Sequence, residues 1–139
     1  MADLPRASTN AGQGAQILVV VDDDSDIRAM LVKALGTTYT IYEARDGEEA
    51  RQLLEALPQV DGLVCDVMMP RLDGLSLAKV MKKTAKLARL PILFLTAKGS
   101  PIDVVAGINA GARHYVTKPF KVVDVITKVK AMTKASSAK

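Results

Sequence analysis

The sequence predicts an α/β fold in which helices cover both faces of one parallel sheet. Five short apolar runs follow one another along the chain, and each gap between them holds a helical pattern. The runs at 17–21 and 92–95 are apolar at every position, as expected for central strands that are buried on both faces. Regular alternation of strand and helix favours right-handed crossovers and a doubly wound five-stranded parallel sheet.

The individual elements follow from local signals. The predicted strands, in order, cover residues 16–21, 39–43, 62–65, 92–95 and 114–116. Asp24 or Ser25 is expected to cap the first helix, because a short polar side chain there can accept the free N–H groups of the first turn. Gly36 marks the end of that helix, and Pro91 opens the fourth strand.

Two later helices are predicted from apolar stripes. The last gap places apolar residues at helical spacing, at Val122, Val125, Ile126, Val129 and Met132. A looser stripe in the third gap consists of Leu75, Ala78, Val80 and Met81. Each stripe is expected to pack against the sheet.

Composition narrows the class of protein. The chain has 139 residues and a net charge of +4, which indicates one globular domain without a strong electrostatic preference for a partner. Its one cysteine, Cys65, forbids an intramolecular disulfide and favours a reducing compartment, so we expect a cytoplasmic protein. No apolar run approaches the ~20 residues that span a bilayer, so we expect no membrane insertion. One histidine excludes a multi-histidine metal site.

The ends of the chain differ from its middle. Residues 1–15 carry few large apolar side chains and no periodicity, which predicts a flexible N-terminal tail. The domain is expected to cover 16–133, and 134–139 reads as a short C-terminal tail.

Polar residues follow the apolar runs at the points where the strands should end. Because ligands of such sheets bind beyond the carboxyl ends of the strands, these residues are the candidate site. They are Asp22, Asp23 and Asp24 after the first strand, Asp66 after the third, Thr96 after the fourth and Lys118 beyond the fifth. Carboxylates that meet at one edge repel one another unless a cation lies among them, which predicts a Mg²⁺ site. Asp66 is the best candidate for a nucleophile that would form an aspartyl phosphate.

These residues resemble a known family, the response-regulator receiver domains of the CheY type. The resemblance rests on five motifs in the right order over residues 16–132: the acidic pair Asp22-Asp23, Asp66-Val67-Met68-Met69-Pro70 with Asp73-Gly74, Leu95-Thr96-Ala97, Gly111-Ala112 and Lys118-Pro119-Phe120. It implies a flavodoxin-like (βα)5 fold with strand order 2-1-3-4-5.

The resemblance also implies roles for single residues. Asp66 would accept the phosphoryl group, and Mg²⁺, with Mn²⁺ as a substitute, would be held by Asp22, Asp23, Asp66 and the backbone carbonyl of Met68. Lys118 and the Thr96 hydroxyl would contact phosphoryl oxygens. Met68 and Lys98 would flank the mouth of the pocket and tune the lifetime of the phosphoryl group. The Lys118-Pro119 bond is where receivers carry a cis peptide.

Partners follow from the same resemblance. A sensor histidine kinase or a histidine phosphotransfer protein would supply the phosphoryl group. Thr96 would then move towards the phosphoryl group and Tyr115 would turn inward, which would remodel the surface of the fourth predicted helix, the fifth strand and the last helix. A protein effector would bind that surface, which includes Val104. The chain fits a stand-alone switch and also a receiver cut from a longer regulator.

Two other functions stay open at this point. Asp22-x-Asp24 after a strand resembles the nucleophile motif of haloacid-dehalogenase-type phosphatases, which would make Asp22 the phosphorylated residue. A degenerate receiver that only binds proteins is the other alternative. The basic run from Lys79 to Arg89 is expected to be a solvated face, so we expect no nucleic-acid partner. We assign no chemistry to Cys65 or His114.

Overall fold

The computed structural model describes residues 5–67, 74–97 and 114–137. All five described strands are parallel and form one sheet in the order β2-β1-β3-β4-β5. They are β1 (Ile17–Val21), β2 (Thr40–Ala44), β3 (Gly62–Asp66), β4 (Ile92–Ala97) and β5 (His114–Lys118). The predicted doubly wound parallel sheet and its 2-1-3-4-5 order are therefore confirmed.

Helices connect the strands and lie on both faces of the sheet. They are α1 (Ser25–Leu35), α2 (Gly47–Ala56), α3 (Gly74–Lys82) and the last helix (Val122–Ser137). The segment predicted to hold the helix between β4 and β5, with Gly99, Val104 and Gly111, lies outside the described residues. The last helix continues beyond residue 133, where the domain was predicted to end; the predicted domain limits stay a prediction.

The sheet separates two apolar layers because side chains of a strand alternate between its faces. On β1, Val19 and Val21 face one layer, whereas Leu18 and Val20 face the other. The first layer takes buried residues of α2 and α3, and the second takes those of α1 and the last helix. Central strands buried on both faces explain the unbroken apolar runs at 17–21 in β1 and at 92–95 in β4.

The helix caps agree with the sequence signals. The Asp24 side chain accepts from the N–H groups of Asp26 and Ile27 and caps α1, which ends at Gly36 as predicted. Asp46 caps α2 in the same way through the N–H of Glu49. Both caps satisfy donors that a helix leaves unpaired in its first turn.

One predicted core residue is on the surface. Val80 was placed in the apolar stripe of the third helix, but its side chain is 37% exposed. Leu77, Ala78 and Met81 carry the packing of α3 instead. The stripe of the last helix packs as predicted, with Val125, Val129 and Met132 buried.

The N-terminal segment contacts the outer edge of the sheet. The Ser8 N–H donates to the Ile41 carbonyl, and the Thr9 hydroxyl donates to the Tyr39 carbonyl at 3.0 Å. The Ile41 N–H donates to Thr9 Oγ1 at 3.1 Å, and the Ala11 N–H donates to the Thr40 hydroxyl. Residues 8–11 thus bind along β2, although flexibility was expected for this part of the chain.

No helix in the described parts of the chain is both long enough and apolar enough to cross a membrane.

Candidate functional site

Three carboxylates meet at the carboxyl edge of the sheet. Asp22 and Asp23 follow β1, and Asp66 is the last residue of the neighbouring strand β3. One oxygen from each carboxylate lies within 4.8 Å of the others, and we call these three residues the acidic cluster. Asp22 and Asp66 are buried, at 0% and 6% exposure, whereas Asp23 is open to solvent.

Lys118 brings a positive charge to this cluster. It ends β5, two strands away from β3, and its Nζ reaches back to Asp66 Oδ2 at 2.9 Å and to Asp22 Oδ2 at 3.1 Å. Burial disfavours the ammonium form, but the bonds with Asp66 and Asp22 outweigh burial and raise the pKa of Lys118. The lysine is therefore charged at neutral pH and joins two acidic groups.

Asp22 is held by hydrogen bonds of both its side chain and its backbone. Its carboxylate accepts from the Asp24 N–H at 2.9 Å and from Lys118. Its own N–H continues the sheet ladder to the Ala44 carbonyl at 3.2 Å. Burial, and after it the charge of Asp66, raises the pKa of Asp22, although its bonds with Asp24 and Lys118 act in the opposite direction. The ionised form of this carboxyl therefore costs free energy when no cation is bound.

Thr96 and Tyr115 lie on one face of the sheet next to the cluster. Thr96 follows Leu95, the register partner of Asp66, and is buried. It lies opposite Thr117, so Tyr115 is its diagonal neighbour on the same face. The half-buried Tyr115 packs against Phe94, with ring centroids 6.0 Å apart, and burial raises the pKa of its phenol.

Three predicted site residues cannot be placed beside this group. Met68, Lys98 and Val104 lie outside the described residues. The Lys118-Pro119 peptide bond is cis, as the resemblance implied.

Two residues that the sequence did not single out lie behind the site: Arg28 contacts Asp22, and Glu43 contacts Arg28. Arg28 of α1 donates from Nη1 to the backbone carbonyl of Asp22 at 2.7 Å and from Nε to Glu43 Oε1 at 3.0 Å. A possible signal was an acidic residue in the mostly apolar strand β2 together with an arginine one turn after the Asp24 cap. Neither feature is specific enough to predict the contact.

The acidic cluster suits a small, hard divalent cation. All three donors are carboxylate oxygens, which Mg²⁺ prefers, and the exposed Asp23 leaves one side of the cluster open to water and to further ligands. A cation there would also offset the cost of ionised Asp22. The residues present therefore fit the metal that the sequence predicts.

Comparison with known proteins gives the family. The family model "Response regulator receiver domain" matches residues 18–130. The response regulator MprA of Mycobacterium ulcerans is 42% identical over 116 residues, which are 83% of this chain and 49% of that protein. The chain thus spans about half the length of the curated relatives it matches.

Solved structures agree with this match. The receiver domain of a signal transduction histidine kinase from Syntrophus aciditrophicus has a TM-score of 0.81 at 31% identity, over 90% of this chain and 95% of that one. The receiver domain of the sensor histidine kinase PA1611 from Pseudomonas aeruginosa, with a magnesium ion in its active-site cleft, has a TM-score of 0.75 at 25% identity, over 87% and 99% of the two chains. The chain belongs to the response regulator receiver domains of two-component signalling.

Proposed function

We propose that this receiver accepts a phosphoryl group on Asp66, in a Mg²⁺-dependent reaction, from a sensor histidine kinase or a histidine phosphotransfer protein. One observation carries the proposal: Asp66 shares a cluster with Asp22 and Asp23 while the ammonium of Lys118 lies 2.9 Å from its carboxylate. Such a group can neutralise a transferred phosphoryl group from two sides.

The sheet order favours Asp66 over Asp22 as the acceptor. β3 lies between β1, which carries the acidic pair, and β4, which carries Thr96, so Asp66 stands between the carboxylates and the hydroxyl. Asp22 is fully buried and both of its carboxylate oxygens accept hydrogen bonds. Asp24, which the phosphatase alternative would require, caps α1. These contacts argue against that alternative.

The transfer is a displacement at phosphorus. A carboxylate oxygen of Asp66 attacks the phosphorus of a phosphohistidine, the P–N bond breaks, and its electron pair stays on the imidazole nitrogen, which leaves an acyl phosphate on Asp66. Lys118 holds a positive charge beside the oxygens that gain negative charge, and the Thr96 hydroxyl donates to another phosphoryl oxygen.

The metal would be held by Asp22, Asp23 and Asp66, with Met68 offering its backbone carbonyl. When bound, Mg²⁺ supplies charge neutralisation and orientation for the phosphoryl oxygens. The receiver of PA1611 carries magnesium in its active-site cleft, which supports the same metal here.

The response to phosphorylation would run through β4 and β5. Thr96 moves towards the phosphoryl group, and Tyr115, its diagonal neighbour beside Phe94, turns into the space that is left. This shifts the balance between two conformations of the surface that β5, the last helix and the segment before β5 would form. A protein effector binds this surface near Val104 and Tyr115. Met68 and Lys98 tune how long the phosphoryl group lasts. The whole event would take place in the cytoplasm.

The test is the intact mass of the protein after incubation with phosphoramidate, with and without Mg²⁺. Wild type is compared with Asp66→Asn and with Asp46→Asn, a matched loss of a buried carboxylate outside the cluster, where asparagine still caps the helix. We expect one phosphoryl group on wild type and on Asp46→Asn, only with Mg²⁺, and none on Asp66→Asn.

Other outcomes would overturn the proposal. Addition that survives Asp66→Asn would reject Asp66 as the acceptor and favour Asp22. No addition to wild type, either from phosphoramidate or from a phosphorylated histidine kinase, would favour a receiver that acts only as a protein-binding module.

A further inference from the structure

The main chain of Asp22 is held by a side chain from another element. Asp22 is the residue at which the chain leaves β1, and its N–H makes the last bond of the ladder to Ala44. Its carbonyl oxygen lies beyond the ladder and accepts from Arg28 Nη1 at 2.7 Å. The same guanidinium donates from Nε to Glu43 on β2 at 3.0 Å.

We propose that Arg28 is a positioning residue that fixes the main chain of the acidic cluster and thereby sets its affinity for the cation. The inference rests on the proposed function, since it concerns the same metal site. Among the described residues, the guanidinium of Arg28 donates to the Asp22 carbonyl and to Glu43, and not to a carboxylate oxygen of the acidic cluster. It acts through the backbone of Asp22, and Glu43 holds the guanidinium in the orientation that this requires.

Arg28 contacts the turn after β1 at two points, Asp22 and Asp24. Its backbone N–H donates to the Asp24 carbonyl at 3.0 Å, as the first turn of α1 requires, while its side chain reaches back to Asp22. Within the turn, the Asp24 N–H donates to Asp22 Oδ1. Loss of the guanidinium would leave the carbonyl of a fully buried residue unpaired, and the turn would open to reach water.

The geometry of the guanidinium matters here more than its charge. A planar fork can donate to a carbonyl and to a carboxylate at once, whereas a lysine ammonium is a single point. The pair of Arg28 and Glu43 is also better sheltered than the exposed pair of Arg45 and Glu49, with side chains 19% and 32% exposed against 74% and 39%. The Ser8 hydroxyl further donates to Glu43 Oε2 and holds that carboxylate in place.

The experiment measures Mg²⁺ binding by isothermal titration in wild type, Arg28→Met and Arg28→Lys. Arg51→Met is the matched control, because Arg51 pairs with Glu48 and Glu55 on α2, away from the acidic cluster. We expect Arg28→Met to weaken Mg²⁺ binding about tenfold, in the range found when groups that orient metal ligands are removed. Arg28→Lys should lose about threefold because it restores one contact of the two, and Arg51→Met should match wild type.

A second measurement uses the protein without metal. Hydrogen exchange at the Asp24 amide should become about tenfold faster in Arg28→Met, because the bond to Asp22 Oδ1 opens with the turn. The amide of Val20, within β1, exchanges through global opening and should accelerate less than the Asp24 amide. A merely structural role for Arg28 would speed both amides together.

The outcomes separate the two proposals. Wild-type Mg²⁺ affinity in Arg28→Met, or equal acceleration of the Asp24 and Val20 amides, would overturn the positioning role and leave Asp66 phosphorylation intact. Failure of wild type to bind Mg²⁺ would instead overturn the proposed function. The hydrogen-exchange rate of the Asp24 amide would still show whether Arg28 holds the turn.

Discussion

The site has two walls that are built differently. The β1 wall carries Asp22, which is fully buried and bonded through its backbone to Ala44 and Arg28. The β5 wall carries Lys118, whose side chain is 24% exposed, and the half-buried Tyr115. A fixed wall suits ligands that must hold a cation at set distances, and a looser wall suits residues that are proposed to move after phosphorylation.

The sequence of the two strands accounts for this difference. β1 reads Ile-Leu-Val-Val-Val and is paired on both sides, by β2 and by β3. β5 reads His-Tyr-Val-Thr-Lys, and Val116 is its one buried residue among the described strand positions. β1 is therefore both more apolar and more fully paired than β5, which lies at the edge of the sheet.

The largest effect we expect from the comparison is on folding stability. Val20 on β1 and Val116 on β5 belong to the same apolar layer, at 0% and 7% exposure. Removal of two methyl groups and creation of a cavity should cost about 2.5 kcal/mol for Val20→Ala. Val116→Ala should cost about 1.5 kcal/mol, because the looser wall can close around the space. Chemical denaturation measures both, and equal losses would show that the two walls are equally firm.

The second-largest effect that we expect is on Mg²⁺ affinity, through the positive charge of Lys118. Lys118→Met removes the ammonium beside Asp22 and Asp66, so the cluster becomes more negative and Mg²⁺ should bind about tenfold more tightly near neutral pH. Phosphoryl transfer to Asp66 should slow in the same variant, because the positive charge beside the transferred group is lost.

A matched control is available three residues further along the chain. Lys121→Met removes an exposed lysine and should leave Mg²⁺ affinity at the wild-type value. Weaker Mg²⁺ binding in Lys118→Met would mean that the lysine supports the shape of the cluster more than it competes for its charge.

Much of the fold and the membership of the site follow from short-range signals. Alternation of apolar runs and helical stripes predicted the parallel sheet, and polar residues at the strand ends pointed to Asp22, Asp66 and Lys118. Such signals work because strand ends of a parallel sheet meet at one edge whatever the loops do. Asp24 was predictable as a cap because its role depends only on the next three residues.

The parts that escaped prediction depend on contacts between distant elements. Arg28 reaches Glu43 and the Asp22 carbonyl because α1 packs against both β1 and β2, which no local pattern encodes. Val80 is apolar, but it lies two residues after Ala78 and so off the helical stripe, and apolar character alone misplaced it. The N-terminal segment has the composition of a tail, but residues 8–11 bind Tyr39 and the edge of β2, which lie about 30 residues further along the chain.

The smallest effect tests that N-terminal segment, a third region whose hydrogen bonds to the rest of the described chain go to β2 and Tyr39 and not to Asp22 or Lys118. Thr9 uses one hydroxyl to donate to the Tyr39 carbonyl and to accept from the Ile41 N–H. Thr9→Val keeps the shape and removes both bonds, which should cost about 1 kcal/mol of unfolding free energy. The exposed Thr127, whose hydroxyl bonds only within the last helix, gives the control Thr127→Val, which should change stability little.

Hydrogen exchange separates a docked segment from a loose one. The Ile41 amide should exchange faster in Thr9→Val, because its acceptor is gone, while Mg²⁺ affinity should stay at the wild-type value since Thr9 touches neither wall. Unchanged exchange at Ile41 would mean that residues 8–11 leave the edge of β2 readily in solution. In that case the N-terminal segment would not help to hold the end of β1. Pairing of β1 with β2 and β3, together with Arg28, would be sufficient.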